Sequence, residues 1–172
     1  MKYYKYVDTW VDEPNIATTY VETDDGCEIR HLSVIDQRFI SSNMDLLLGE
    51  GQVDYTEVEE AIPIPAEEFI DVWNTYLDKY LPRWTNIKAN FPIGFEIVGF
   101  IKIFFPQGVI VSLGNNVWGL ADYKKCQDSC ARPEYMSSWH KITGIVRGYD
   151  EINQWIMIAS PQVHEEEISP NP

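Results

Sequence analysis

Between Pro92 and Ser160, apolar and β-branched runs of strand length alternate with glycine-bearing corners, a pattern that few folds accept. Pro92-Ile93-Gly94 leads into an apolar run from Phe95 to Phe105 with Gly99 inside it. The corner Gln107-Gly108 feeds Val109-Ile110-Val111-Ser112-Leu113, which ends on the turn signal Gly114-Asn115-Asn116, and Val117-Trp118-Gly119-Leu120 starts a third strand. After a polar excursion from Asp122 to Ser138 come two more, Lys141 to Tyr149 and Gln154 to Ala159, joined by Asp150-Glu151-Ile152-Asn153. Five short strands with glycine at the bends predict a small closed β-barrel, because glycine permits the sharp turns that shut a sheet.

The first half of the chain has a different texture. Tyr3 to Trp10 is aromatic and β-branched and reads as a strand that ends at Asp12-Glu13-Pro14-Asn15. Ile16 to Thr23 and Cys27 to Ile35 flank the hairpin signal Asp24-Asp25-Gly26, and Gln37 to Ser42 adds a fourth strand. Strict alternation along the third strand places Cys27, Ile29, His31 and Ser33 on one face and Glu28, Arg30, Leu32 and Val34 on the other, and neither face is cleanly apolar. Such a meander needs a cover. Phe69, Trp73, Tyr76, Leu77 and Tyr80 recur at helical spacing, predicting a helix from Pro65 to Leu81, with Glu67 and Glu68 at its positive N-terminal end and Pro82 as its stop. The stretch Gly49 to Pro63 combines carboxylates with the alternation Val53, Tyr55, Val58, which suits a charged edge strand. The expected class is α+β: an antiparallel meander with one covering helix over residues 1–84, a linker at 85–91, the five-stranded barrel over 92–160, and an acidic tail at 161–172 that is poorly ordered from His164 to Pro172.

Charge is distributed unevenly. The chain carries 13 Lys plus Arg against 27 Asp plus Glu, a net of −14, and residues 1–87 hold 18 of the acidic side chains with only 6 basic ones. A surface of that sign repels phosphate backbones and attracts basic partners. DNA is not an expected partner. With no apolar run of 18 residues and no apolar core in Met1-Lys2-Tyr3-Tyr4-Lys5-Tyr6, neither a membrane span nor a secretory signal is expected, and the reading is cytoplasmic.

No motif carries catalysis. The three histidines, His31, His140 and His164, lie outside recognisable catalytic patterns, and there is no nucleophile elbow, phosphate-cradling glycine loop or His-Glu-x-x-His element. Cys126, Cys130 and His140 supply three ligands where structural zinc takes four, so the cysteines read as ordinary thiols, with no metal and no cofactor expected.

Gly94, Gly99, Gly108, Val111, Gly119-Leu120, Trp139-His140-Lys141 and Asp150, in this order and spacing, resemble the RNA-binding repeat named after ribosomal protein S-one, an oligonucleotide-binding fold. The resemblance covers about 70 residues and implies a barrel that binds single-stranded RNA. In that family an aromatic precedes the corner glycine, another follows it by two, and a histidine follows the Gly-Leu pair. Here those places hold Gln107, Ile110 and Asp122. RNA binding would therefore rest on a depleted face formed by Gln107, Ile110, Trp118 and Asp122 with Lys102 and Arg147, since stacking contributes roughly 1–3 kcal/mol per base. In the first half, Lys5-Tyr6-Val7, Asp12-Glu13-Pro14, Tyr20, Glu22, Asp24-Asp25-Gly26 and Glu28-Ile29-Arg30 resemble an uncharacterised bacterial domain family, which implies no activity.

Two functions follow as expectations. The first is an acidic inhibitor or immunity-type protein that holds a basic protein such as a nuclease toxin through Asp24, Asp25 and Glu28 at the hairpin and Asp54, Glu57, Glu59 and Glu60 in the loop. The alternative is an RNA-associated module acting through the barrel face.

Overall fold

The computed structural model describes residues 1–9, 16–36, 38–49, 51–58 and 60–168. The chain is α+β and divides into two compact units, Met1–Leu81 and Pro82–Pro172. Glu59, Gln37 and the breaker at 12–15 lie outside the described residues.

In the first unit, β1 (Lys2–Thr9), β2 (Ile16–Asp24), β3 (Cys27–Ile35), β4 (Arg38–Ser41) and β5 (Ile62–Pro63) form one antiparallel sheet in the order β4-β3-β2-β1-β5. Side chains alternate between two covered faces. On one, Leu32 packs with Phe69, Trp73 and Tyr76 of α1 (Ala66–Asn90), joined by Tyr3, Tyr20, Val34 and Phe39. On the other, Tyr4 and Val21 pack with Tyr55, Val53, Val58 and Ala61 from the segment before β5. That segment is irregular and joins the sheet's backbone through an isolated bridge from Gln52 to Cys27, so Val53 to Val58 form a packed loop, and the short edge strand expected within Gly49 to Pro63 is β5 at its end. Val53, Tyr55, Val58 and Ala61, spaced two and then three residues apart, fill the underside of the sheet.

The helix does not stop at Pro82. It continues to Asn90, so residues 85–90, expected as a linker, are helical. Proline within a helix costs about 3 kcal/mol through its missing N–H and its clash with the preceding turn. Trp84 and Ile87 offset this, because both are buried in the core of the second unit, and burying each such side chain stabilises by roughly 1.5–3 kcal/mol. The Trp84 indole N–H also donates to Glu151 (2.6 Å), and its ring meets Tyr149 edge-on at 5.9 Å.

The second unit holds β6 (Glu96–Phe105), β7 (Gly108–Ser112), β8 (Trp118–Ala121), β9 (His140–Asp150) and β10 (Trp155–Glu167), with α2 (Tyr123–Ser129) and a 3-10 turn (Pro133–Tyr135) between β8 and β9. Pairing runs β10-β8-β7-β6-β9 and returns from β9 to β10; only the β8–β10 pair is parallel. This five-stranded sheet is consistent with an oligonucleotide-binding type of fold. Ile97, Ile101, Val109, Val111, Ile142, Val146 and Ile156 fill its interior. Gly108 is required where β7 meets β8: its φ is +142°, and a Cβ there would lie 2.5 Å from the Ala121 carbonyl oxygen. Residues 161–167, expected in the acidic tail and poorly ordered from His164, are the second half of β10, tied to β9 by the pairs Gln162 to Thr143, Val163 to Ile142 and Glu167 to His140. Val163 and Pro161 are buried there, which ordered the segment despite its glutamates.

Candidate binding surfaces

A one-residue bulge decides what the acidic hairpin can present. Glu22 pairs with Arg30, but its neighbour Thr23 pairs with Glu28, so Ile29 is an extra residue in β3. The bulge breaks strict alternation and carries Glu28 to the face that holds His31 and Ser33. There Glu28 is 4% exposed and makes no surface contact, which corrects its assignment as a partner-binding residue. Its carboxylate instead accepts hydrogen bonds from the Tyr55 hydroxyl, the Gly49 N–H (2.6 Å) and His31 Nδ1 (3.2 Å). His31 Nε2 continues to Ser33 Oγ (3.0 Å), and Ser33 to Thr19 Oγ1 (2.8 Å). Burial pushes the Glu28 carboxyl up, but the bonds from His31, Tyr55 and Gly49 outweigh it and hold the group below its ordinary value. Burial and the adjacent Glu28 charge push the Tyr55 phenol up.

An acid, an imidazole and a hydroxyl in series have the connectivity of a hydrolytic triad. Ser33, however, is 1% exposed and its oxygen is shared with Thr19, so the hydroxyl faces the protein interior. What the series accomplishes is attachment: it pins the Gly49 to Tyr55 loop beneath the sheet. The one signal in the sequence was the polar set His31, Ser33 and Thr19 at period-two positions of strands that otherwise bury apolar groups.

Above this anchor the hairpin and loop meet. Asp25 and Gly26 both have positive φ (48° and 79°), as a tight hairpin turn requires. The Gly26 carbonyl accepts from Val53 N–H (2.9 Å) and the Asp25 carbonyl from the Gln52 amide (3.0 Å). A cleft of about 280 Å³ results, bounded by Asp25 and Asp54 with Tyr4, Tyr55, Gln52 and Lys2. Tyr4 and Tyr55 stack at 5.2 Å. Bonds from the Thr56 hydroxyl and N–H orient Asp54 and hold its carboxyl below its ordinary value. Asp24 is exposed beside the N-terminal ammonium (3.9 Å), and Glu57 and Glu60 are exposed further along the loop.

On the opposite face of the same sheet, half-buried Arg30 pairs with buried Glu22 at 2.5 Å. The guanidinium lies over Phe69 (4.9 Å) and Trp73 (5.2 Å) of α1, so a charge is held under the helix by an ion pair and two aromatic faces.

The second unit assembles part of the anticipated RNA face. Gln107, Asp122 and Arg147 line one concavity of about 240 Å³ with Leu120, Lys125, Met157 and Ile158, and none of these lining residues is aromatic. Ile110 is fully buried between its cross-strand neighbours Ile103 and Leu120, which corrects its assignment as a ligand contact. Asp122 is the N-cap of α2 and accepts from the Lys125 N–H (2.8 Å), which gives that carboxylate a local structural reason. Trp118 is half-buried on β8, and Lys102 lies elsewhere, over Trp139.

Cys126 is buried with its thiol pushed up to about 12, chiefly by burial. Among the described residues no group of three His, Cys, Asp or Glu is placed to hold a metal ion, and no helix is long and apolar enough to cross a membrane. No protein-family model matches the chain, and no curated protein matches it.

Proposed function

We propose that this chain is a non-catalytic binding protein whose acidic first unit docks a basic protein, in the manner of an inhibitor or immunity-type protein that neutralises a nuclease toxin. One observation carries this reading: the buried Glu28 carboxylate fixes the acidic loop against the acidic hairpin, so Asp25 and Asp54 share a cleft with Asp24, Glu57 and Glu60 exposed on the same two segments. Residues 1–81 hold 18 acidic and 5 basic side chains. Pre-positioned carboxylates avoid part of the ordering cost, roughly 0.5–1.5 kcal/mol per side chain, that flexible ones would incur on binding. A nuclease is the apt class of partner because a protein that grips phosphates must itself be basic.

The second unit is assigned here to a closed barrel of the oligonucleotide-binding type, related to the S-one repeat. The strand order, the single parallel β8–β10 pair and the helix between β8 and β9 support that assignment. RNA binding through Gln107, Ile110, Trp118 and Asp122 has less support, since one of these is buried and another caps a helix.

The test is affinity capture from the native host with the full chain and with a variant carrying Asn or Gln at Asp24, Asp25, Asp54, Glu57 and Glu60. A basic protein that the wild type retains after ribonuclease treatment, releases with salt, and that the variant fails to hold is the expected result. A haul that disappears with ribonuclease, or is indifferent to the five substitutions, would overturn the reading.

A further inference from the structure

We infer that the cleft between the acidic hairpin and its loop is a pocket for one arginine side chain, whose guanidinium is held by Asp25, Asp54 and the Tyr4 hydroxyl. On the reading of the first unit as the dock of a basic protein, on which this rests, arginine is the residue type by which that partner is gripped. The cleft, about 280 Å³, falls below the roughly 300–1,000 Å³ of a small-molecule or cofactor site and suits a single inserted side chain.

Tyr4 points to a guest. Its ring stacks on Tyr55 and the residue is only 6% exposed, yet it lines the cleft and its hydroxyl has no hydrogen-bond partner among the described residues. The neighbouring Tyr55 hydroxyl is committed to Glu28, so one phenol anchors the loop and the other is left for a ligand. A polar group this deep is costly to leave without a partner, and the cleft is the side from which one can reach it. The carboxylates are open in the same sense. Thr56 donates its hydroxyl and its N–H to Asp54 Oδ1, which fixes the group and leaves Oδ2 for a guest. Asp25 is exposed at the hairpin turn, and Gln52, whose amide donates to the Asp25 carbonyl, keeps its side-chain oxygen as a further acceptor.

Charge and donor geometry select the guest. The lining carries Asp25 and Asp54 against one cation, Lys2. Beyond it, Asp24 is paired with the N-terminal ammonium at 3.9 Å, Glu57 and Glu60 are exposed along the loop, and Glu28 lies beneath, bonded to Tyr55, Gly49 and His31. The balance attracts a cation and repels an anion. Two carboxylates fall short of the roughly six to eight oxygen ligands that calcium takes. Carboxylate, amide and phenol oxygens spread around a cleft match a planar guanidinium, which offers donors along two edges, better than an ammonium, which offers them from one point. Guanidinium is also the more weakly hydrated cation and loses less on entering between tyrosines. Lys2, whose ammonium already favours the ionised form of Asp54, is the competitor that the arginine displaces.

Titration of the full isotope-labelled chain with the capped tripeptide acetyl-Gly-Arg-Gly-amide, followed at the Gly26 and Val53 amide resonances, tests this. Saturable shifts with a Kd of about 1–10 mM are expected, the affinity one charged side chain supplies. The matching lysine peptide should bind about 3- to 10-fold more weakly, and the neutral citrulline peptide about 10-fold or more. Asp25→Asn and Asp54→Asn should each lose about 10-fold, the equivalent of one charge-assisted hydrogen bond. Tyr4→Phe keeps the stack and should lose about 3-fold or more while melting like the wild type, because that hydroxyl holds nothing in the free chain. Lys2→Ala should bind about 2- to 5-fold more tightly, whereas Lys124→Ala, the same change of charge in the second unit, should leave the affinity unaltered. No saturable shift below about 50 mM peptide, no preference for arginine over lysine or citrulline, or wild-type affinity in Tyr4→Phe would overturn the pocket. Capture of a basic protein from the host is judged separately: a retained protein with no peptide binding sinks the pocket alone, and peptide binding with no retained protein sinks the docking role alone.

Discussion

Glu28→Ala removes the acceptor on which the underside of the first sheet depends. Three donors converge on this carboxylate, and two of them, the Tyr55 hydroxyl and His31 Nδ1, belong to residues that are themselves buried. Each stranded donor costs about 1–3 kcal/mol, while the Gly49 N–H, on an exposed residue, can rehydrate. The expected loss is about 3–5 kcal/mol, in line with breaking other buried charged pairs. Glu28→Gln retains the shape and one acceptor and should lose less. The sign of the pH dependence follows from the group's depressed folded pKa. Burial raises it, the three hydrogen bonds lower it further, and the net position is below the ordinary 4.5. The unfolded chain therefore binds this proton more tightly, so the stabilisation is complete above about pH 4.5 and disappears as pH falls through the folded value. The stability gap between wild type and Glu28→Gln should accordingly narrow between about pH 6 and about pH 3. Urea unfolding followed by fluorescence measures the gap, and hydrogen exchange at the Gly49 and Val53 amides reports the loop itself. A loss in Glu28→Ala below about 1 kcal/mol near pH 7, or a Glu28→Gln gap that is the same at both acidities, would refute the reasoning.

Two further outcomes are expected. Pro82→Ala should stabilise the chain by about 1–3 kcal/mol, because an exposed helix position regains its N–H and the buried Trp84 and Ile87 are untouched; a lowered melting temperature would count against a continuous helix. Asp122→Ala should cost about 1 kcal/mol through loss of the α2 cap while Asp122→Asn is near neutral, and equal melting temperatures for all three proteins would remove the capping explanation.

The period-two runs after Pro92 and the helical stripe Phe69, Trp73, Tyr76 were legible in the sequence because each is a local pattern that buries one face, and the five strands and the covering helix lie there. The uneven charge was equally plain, since it needs no geometry. The continuation of the helix past Pro82 was not legible, because Pro82 is a local stop signal and the burial of Trp84 and Ile87 that outweighs it comes from strands far along the chain. The tail differs from its local pattern for the same reason: three consecutive glutamates suggest solvent, yet pairing with β9 and the burial of Val163 make residues 161–167 a strand. Glu28 is the sharpest case. Alternation placed it with Arg30, and a single bulge at Ile29, set by pairing with β2, turned it to the other face and made a surface contact into a buried anchor. Composition and spacing thus determined the classes of element and the sign of the surface, whereas only tertiary contacts decided which carboxylates meet solvent, since register and burial are properties of residues brought together from distant parts of the chain.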